Sequence, residues 1–451
     1  MHFSEDRLTF RPRREYSDPY RMLLWAGLIL AGLWLLVQVL DGKITAFEPV
    51  PTPTRTAGSF SQEGQAWFAA GNLDMAITAY KDSLITDPDN ARLRAELAQI
   101  QVYSSALLTT DAQRKDRLAE ALDHINQAAK VAPRDSFVHA IRALVLNWNA
   151  NPNLVTLDER SDLLFQAENA AVLARELDNQ NALALAYYAE VLLDSGKLIL
   201  AEENINAALA ADDTLMDVHR IHGQVLESKG LYFDAIAAYR KASDIAPNLT
   251  FLYLYMGYNY RHLAQQAQLI DINSPVAKER FEQALEAFAR AAGINTQLSI
   301  QDPLPYLAIA KTYAQQGEFF IASRNAEKAL TFDPQNPAVY GQLGRIYMQA
   351  RNYETALPTL RCAVVGCSGA ENEVSKTLLG QELQVVGLPL TSVEVAYYYV
   401  FYDSVLSALN KCDEAVPVRE RVMEVYSTDA AIPFIIAENV EICRILAATN
   451  P

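Results

Sequence analysis

From Met22 to Leu40 the chain passes through nineteen positions without a charged side chain, whereas beyond residue 56 apolar residues recur three and four apart with polar ones between them. The second pattern predicts amphipathic helices, and it persists almost to the C-terminus. The first predicts one helix that is apolar on every side. At 1.5 Å per residue it spans roughly 28 Å, close to the ~30 Å hydrocarbon core of a bilayer. A core helix seldom runs this long without a polar face. A cleaved secretory signal is the nearer rival, because Ile44-Thr45-Ala46 offers a cleavage site. The apolar run, however, exceeds the usual 7–15 residues of such a signal. Residues 41–56, with Val50-Pro51-Thr52-Pro53-Thr54 inside them, predict a Pro-rich, semi-extended linker. No second long apolar run follows.

Within the amphipathic region, alignment on Asp87-Pro88, Ala246-Pro247 and Asp333-Pro334 reveals a repeat. Counting back from each proline, position five is small (Ser83, Ala242, Ala329) and position twelve is alanine (Ala76, Ala235, Ala322). Position eight holds Tyr80, Tyr239 and Ala326, and position twenty-four Gly64, Gly223 and Ala310. Small residues let two helices of a unit approach, large ones fill the gap to the next unit, and the proline ends the second helix. This pattern resembles the tetratricopeptide repeat, W-x2-L-G-x2-Y, then A-x3-F, then a closing P over 34 residues. The resemblance implies an all-α solenoid, a right-handed superhelix of helix pairs. Repeats are expected at 57–90, 91–134, 135–181, 182–215, 216–249, 250–298, 303–336, 337–370 and 396–429. Insertions lengthen three of them, near Thr109–Asp116, Asn149–Glu159 and Gln265–Val276. The ninth carries Pro417 near the start of its second helix, and Glu371–Ser392 fits neither half of a repeat. Residues 430–451 are amphipathic and suit a capping helix over the last exposed face.

Charge sets the expected topology. Arg7, Arg11, Arg13, Arg14 and Arg21 precede the apolar span, and only Lys43 and Arg55 follow it closely. The positive-inside rule then gives a cytoplasmic tail (1–21), a transmembrane helix (22–40) and extracytoplasmic repeats. Net charge is −16, and nearly all of the acidity lies after the span. On that ground nucleic acid is expected to be repelled. An oxidising compartment would favour disulfides among the four cysteines. Cys412 lies in the turn between the helices of the last repeat and Cys443 in the cap that should pack there. Joining them closes a loop of about thirty residues, worth roughly 3.5 kcal/mol in the chain-entropy picture. Cys362 and Cys367 are candidates for a second bridge if Gly366 ends the helix between them; four buried thiols are the alternative.

Candidate chemistry is sparse. His219 and His222 share a helical face but sit at packing positions of repeat five, with no third metal ligand at a sensible spacing. Gly366-Cys367-Ser368-Gly369 approximates a nucleophile elbow but has Ala370 where glycine is needed. No phosphate loop, zinc-protease motif or dinucleotide fingerprint occurs, so no enzyme, cofactor or metal is expected. The resemblance implies instead a concave partner-binding groove. Its positions carry Glu190 and Asp194 in repeat four, and Asp217, Arg220 and Glu227 in repeat five. Repeat six adds Phe251, Tyr258, Arg261 and His262, and the next two Lys311, Gln315, Arg345 and Gln349. The run Tyr258, Arg261, His262, Lys311 and Arg345 is the candidate peptide site, suited to an extended acidic or carboxylate-ended ligand. The function implied is a membrane-anchored scaffold for proteins or extended peptides. A structural subunit of a membrane complex and a chaperone-like envelope factor are the alternatives.

Overall fold

The computed structural model describes residues 18–41, 56–108 and 110–449. The arginines before Asp18 and most of the Pro-rich linker, which carry the orientation and spacer readings, lie outside them. The chain divides into two units, residues 1–55 and 56–451. The first contains α1 (Pro19–Leu40), started by a proline at the first helical position and by the Asp18 carboxylate, which accepts the Tyr20 N–H at 3.1 Å. None of its side chains is buried, and with a mean hydropathy of 2.3 it is long and apolar enough to cross a membrane.

The second unit is a solenoid of helix pairs. These are α2 (Ala57–Ala70) with α3 (Leu73–Thr86), α4 (Ala91–Ser105) with α5 (Asp111–Val131), and α6 (Ser136–Asn149) with α7 (Leu157–Leu177). Then come α8 (Ala182–Asp194) with α9 (Leu198–Ala211), α10 (Met216–Ser228) with α11 (Tyr232–Ile245), and α12 (Thr250–Ile270) with α13 (Pro275–Gln297). The series continues with α14 (Leu304–Gln315) and α15 (Phe319–Phe332), and with α16 (Pro337–Gln349) and α17 (Tyr353–Val364). A short α18 (Glu373–Leu379) follows, then the last pair, α19 (Val393–Ala408) and α20 (Cys412–Tyr426), and finally α21 (Ile432–Thr449).

Two local devices make the repeat work. In the turns between units, Asn90 and Asn336 cap the next helix by accepting the N–H of Leu93 and Ala338. Their amides also donate to Asp87 and Asp333 at 2.8 and 2.9 Å, so the proline-containing turn and the helix start are one hydrogen-bonded piece. Within units, Gly64 and Gly223 lie against the rings of Tyr80 and Tyr239. A methyl group at either position would come within 2.5–2.6 Å of the facing ring. Ala76, Ala235 and Ala322 are fully buried at the same helix crossings.

The insertions resolve mostly into extra helical turns rather than loops: α5, α7, α12 and α13 run to 21–23 residues. The segment after α17 is a compact excursion. Strand β1 (Gly366–Cys367) pairs antiparallel with β2 (Val385–Val386), and α18 lies between them. Buried Asn372 fastens it to the solenoid through the Tyr340 hydroxyl, at 2.9 Å. The eighth unit's second helix therefore ends at Val364, and the ninth unit begins at Val393, three residues before the expected start. Pro417 lies inside α20, which runs through it.

After five pairs the superhelix meets itself. The Asn248 amide donates to the Ala69 carbonyl at 3.0 Å, and Gly71, at φ +84°, lies against the Asn248 backbone. Inside the turn the rings of Phe68, Tyr103 and Phe251 pack in series, at 6.1 and 5.7 Å between centroids. The first and sixth units thus share one core.

Candidate partner-binding groove

Helix α10 brings Asp217, Arg220 and Gln224 to the inner wall of the first turn, where α8 supplies Tyr187 and Glu190, α4 supplies Gln99 and Tyr103, and α6 supplies Trp148. Arg220 is fully buried. It donates bidentately to Glu190 at 2.9 and 3.0 Å and through Nε to Asp217 at 2.8 Å. The second oxygen of Asp217 accepts from the hydroxyls of Tyr187, at 3.0 Å, and Tyr103. Trp148 Nε1 donates to Glu190 at 3.1 Å. Burial works against the Arg220 charge, and the two carboxylates more than reverse that effect, so the guanidinium titrates well above its ordinary value. Burial, together with the Asp217 charge, drives the Tyr103 and Tyr187 hydroxyls well above theirs. With its lone pairs and protons matched, the cluster holds four inner helices in register; deleting one member leaves a buried unpaired charge, at about 3–5 kcal/mol.

This arrangement corrects the groove expected for repeats four and five. Glu190, Asp217 and Arg220 occupy the family's inward positions, but they face one another across a filled interior. Glu227 accepts from Tyr239 and Asn259 at 2.9 and 3.0 Å. Asp194, held by Asn147 at 2.6 Å, is raised to about 6 by burial and then by Glu190. Phe251 is core. Asp194 is the exception, since the residue keeps an exposed face to solvent although its carboxyl is crowded by protein. His219 lies in the same wall, its Nε2 2.7 Å from the Asp213 carbonyl.

From α12 onward the inner face opens. Arg261 on α12, Lys311 on α14 and Arg345 on α16 come from three successive inner helices, all half-buried. Among the described residues none of the three forms an ion pair. Arg261 Nη1 and Arg345 Nε are buried without a hydrogen-bond partner, as is Gln315 Oε1 one turn beyond Lys311. Arg261 lies over the rings of Tyr258 and Phe288, 5.2 and 5.8 Å from their centroids. Burial, and then the neighbouring arginines, pull Lys311 below its ordinary value. Burial likewise lowers Arg261, with Arg345 adding to the effect. The three cations therefore feel one another, and the one acid that acts on Lys311, Glu394, offsets only part of that repulsion.

Beside them is a recess of about 530 Å³ lined by Lys311, Gln342, Arg345, Glu394, Tyr397 and Phe401 among others. Of the five residues expected at the site, Tyr258, Arg261, Lys311 and Arg345 converge. His262 is exposed and stacks on Tyr232, with centroids 5.3 Å apart, away from the cluster. The α19 wall was missed because the excursion hid the register of the ninth unit. Its signal was present in the aromatic run Tyr397-Tyr398-Tyr399 and Phe401-Tyr402.

At the far end, Cys412 and Cys443 are bonded, with Cα atoms 5.8 Å apart, joining the first residue of α20 to α21. Cys362 and Cys367 are bonded across the end of α17, where Gly366 has φ +90°.

No protein-family model matches the sequence, and no curated protein matches it. Solved structures do. Human IFIT1 with m7Gppp-AAAA is 16% identical at a TM-score of 0.53, covering 86% of this chain and 81% of its own. A monomeric IFIT1 mutant with Gppp-AAAA is 16% identical at 0.51, covering 87% and 90%. A thermophilic tetratricopeptide protein of Thermus thermophilus is 19% identical, covers 45% of this chain and 98% of its own, and has a TM-score of 0.37. The IFIT1 structures overturn one expectation. A solenoid of this kind holds capped RNA, so the exclusion of nucleic acid on net charge does not stand. The physical reason is that exposed charges beyond about 8 Å are screened, and a groove presents its own local field rather than the net charge of the whole body. Helix pairs, glycine–aromatic crossings and the likeness to the two IFIT1 structures together give the chain the tetratricopeptide-type solenoid fold.

Proposed function

We propose that the protein is a membrane-anchored scaffold whose repeats lie on the extracytoplasmic side and hold protein partners in the groove formed by α12, α14, α16 and α19. The observation that carries this reading is the cluster of Arg261, Lys311 and Arg345, half-buried cations that form no ion pair among the described residues and have only Glu394 as a nearby acid. Leaving polar groups unpaired is costly within a fold and is relieved when a partner supplies the missing acceptors. The uncharged run Met22–Leu40 of α1 supports the anchor, and the arginines that precede this run support the orientation.

Crosslinking in cells, followed by capture of wild type and of Arg261→Glu/Lys311→Glu, tests the reading. Partner recovery should fall in the double variant and with rising salt, and stay unchanged on charge reversal at the outer helix faces. Equal recovery from the double variant places the contact elsewhere. External protease on intact cells, with any outer wall opened, should digest the repeats and spare residues 1–40. Full protection of the repeats reverses the orientation.

A further inference from the structure

Arg261, Lys311 and Arg345 bring three positive charges together, and Glu394 beside them supplies one negative charge, so two remain to be balanced. A single further carboxylate balances one of them and leaves the other. Arg261 Nη1 and Arg345 Nε are donors without a partner inside the fold, and charged N–H groups of this kind pair strongly with carboxylate oxygens. The seat is recessed among half-buried side chains, within reach of an acid on a flexible stem. The positive field is also short. Toward α10 the interior is closed by Glu190, Asp217 and Arg220, and on the other side Glu394 stands at the rim of the recess. Next to the seat, Tyr397 and Phe401 offer flat apolar faces wide enough for an aromatic side chain.

We infer that Arg261, Lys311 and Arg345 form one seat for a pair of adjacent acidic side chains of a protein partner, with an aromatic residue of the same segment lodging against Tyr397 and Phe401. The inference rests on the open arm being the partner surface, and it names what that surface selects. Recognition is bipartite: the acids set the position, and the ring fills the recess. Glu394 disfavours further negative charge beyond the ring and so fixes where the acidic stretch ends.

The test uses the full chain in detergent micelles with fluorescein-labelled peptides containing Asp-Glu-Ala-Tyr in both directions, read by anisotropy. Changing the acids to Asn-Gln should weaken binding about tenfold or more, and Tyr to Ala about three- to tenfold. Arg261→Gln and Arg345→Gln should each produce losses like that of the Asn-Gln peptide, while Arg345→Lys recovers part of the affinity. Unchanged thermal unfolding of each variant separates lost contacts from lost fold. Equal binding of the Asn-Gln peptide overturns the inference, as does tighter binding of a single-stranded oligoadenylate than of the acidic peptides. If the variants lose partners in cells while the peptides fail to discriminate, this ligand class falls and the groove reading stands. If the peptides discriminate but partner capture is indifferent to the variants, the proposed function falls.

Discussion

The first five repeats and the last four are built from the same kind of helix pair and put their inner faces to opposite use. In the first turn, charged residues on inner helices meet partners from the same chain: Arg220 finds Glu190 and Asp217, and the hydroxyls of Tyr103 and Tyr187 close the set. In the arm that follows, cations on α12, α14 and α16 repel one another and form no ion pair among the described residues, with Glu394 as the one acid acting on Lys311. One region has used its groove to close a ring, held by contact between Gly71 and Asn248. The other keeps its groove open and is tied at its end by Cys362–Cys367 and Cys412–Cys443. Solenoid repeats contact mainly their neighbours, so closure of one turn does not oblige the next to close.

The sharpest test of this contrast is to remove one arginine from each region. Arg220→Ala should destabilise by about 3–5 kcal/mol, because two buried carboxylates lose their counter-charge. Arg345→Gln should be neutral or stabilise by up to about 1 kcal/mol, since it relieves repulsion. Urea unfolding of both variants checks the pair, and equal losses would erase the distinction. Next in size is the covalent tie. Reducing Cys412–Cys443, separated by 31 residues, should cost the arm roughly 3.5 kcal/mol while hydrogen exchange in α4–α10 stays protected. Non-reducing peptide mapping of protein from its native compartment should find both pairs joined; four free thiols would remove the tie from the comparison.

Ring closure itself is the third point of attack. Gly71→Ala places a methyl group 2.3 Å from the Asn248 carbonyl at a left-handed φ, and should cost about 1–3 kcal/mol. Faster exchange in α2 and around Leu249, with α14–α17 unchanged, is the expected signature. The smallest effect is that of pH on the arm. Lys311 titrates below its usual 10.5 because it is buried and faces two arginines, which Glu394 on α19 only partly offsets. A bound anion restores its proton, so affinity for an acidic peptide should fall as pH rises through the lowered value, by about two- to tenfold. Lys311→Arg should flatten that slope, and an identical slope in the variant would assign it to another group.

The repeat was readable because its signals are local. A glycine facing a ring, an alanine at a crossing and an Asp-Pro-x-Asn turn each encode one contact within or between adjacent units. Tyr258, Arg261, Lys311 and Arg345 were legible for the same reason, since inward positions follow from register alone. His262 was misplaced because residues adjacent on a helix point about 100° apart, and its ring found Tyr232 instead. The wall formed by Tyr397 and Phe401 escaped because Glu371–Ser392 folds into a small sheet and helix that break the period.

What the sequence determined alone was the succession of helix pairs, the apolar α1 and the inward-facing set, all products of 3.6-residue periodicity and turn chemistry. The tertiary structure decided which of those inward residues are available. Pairing across a superhelical turn depends on small rotations accumulated over five units, and Tyr103 reaches Asp217 across 114 positions of chain that no local pattern connects. Whether a cation ends in a sealed network, as Arg220 does, or faces an open concavity, as Arg345 does, is settled by that accumulated curvature.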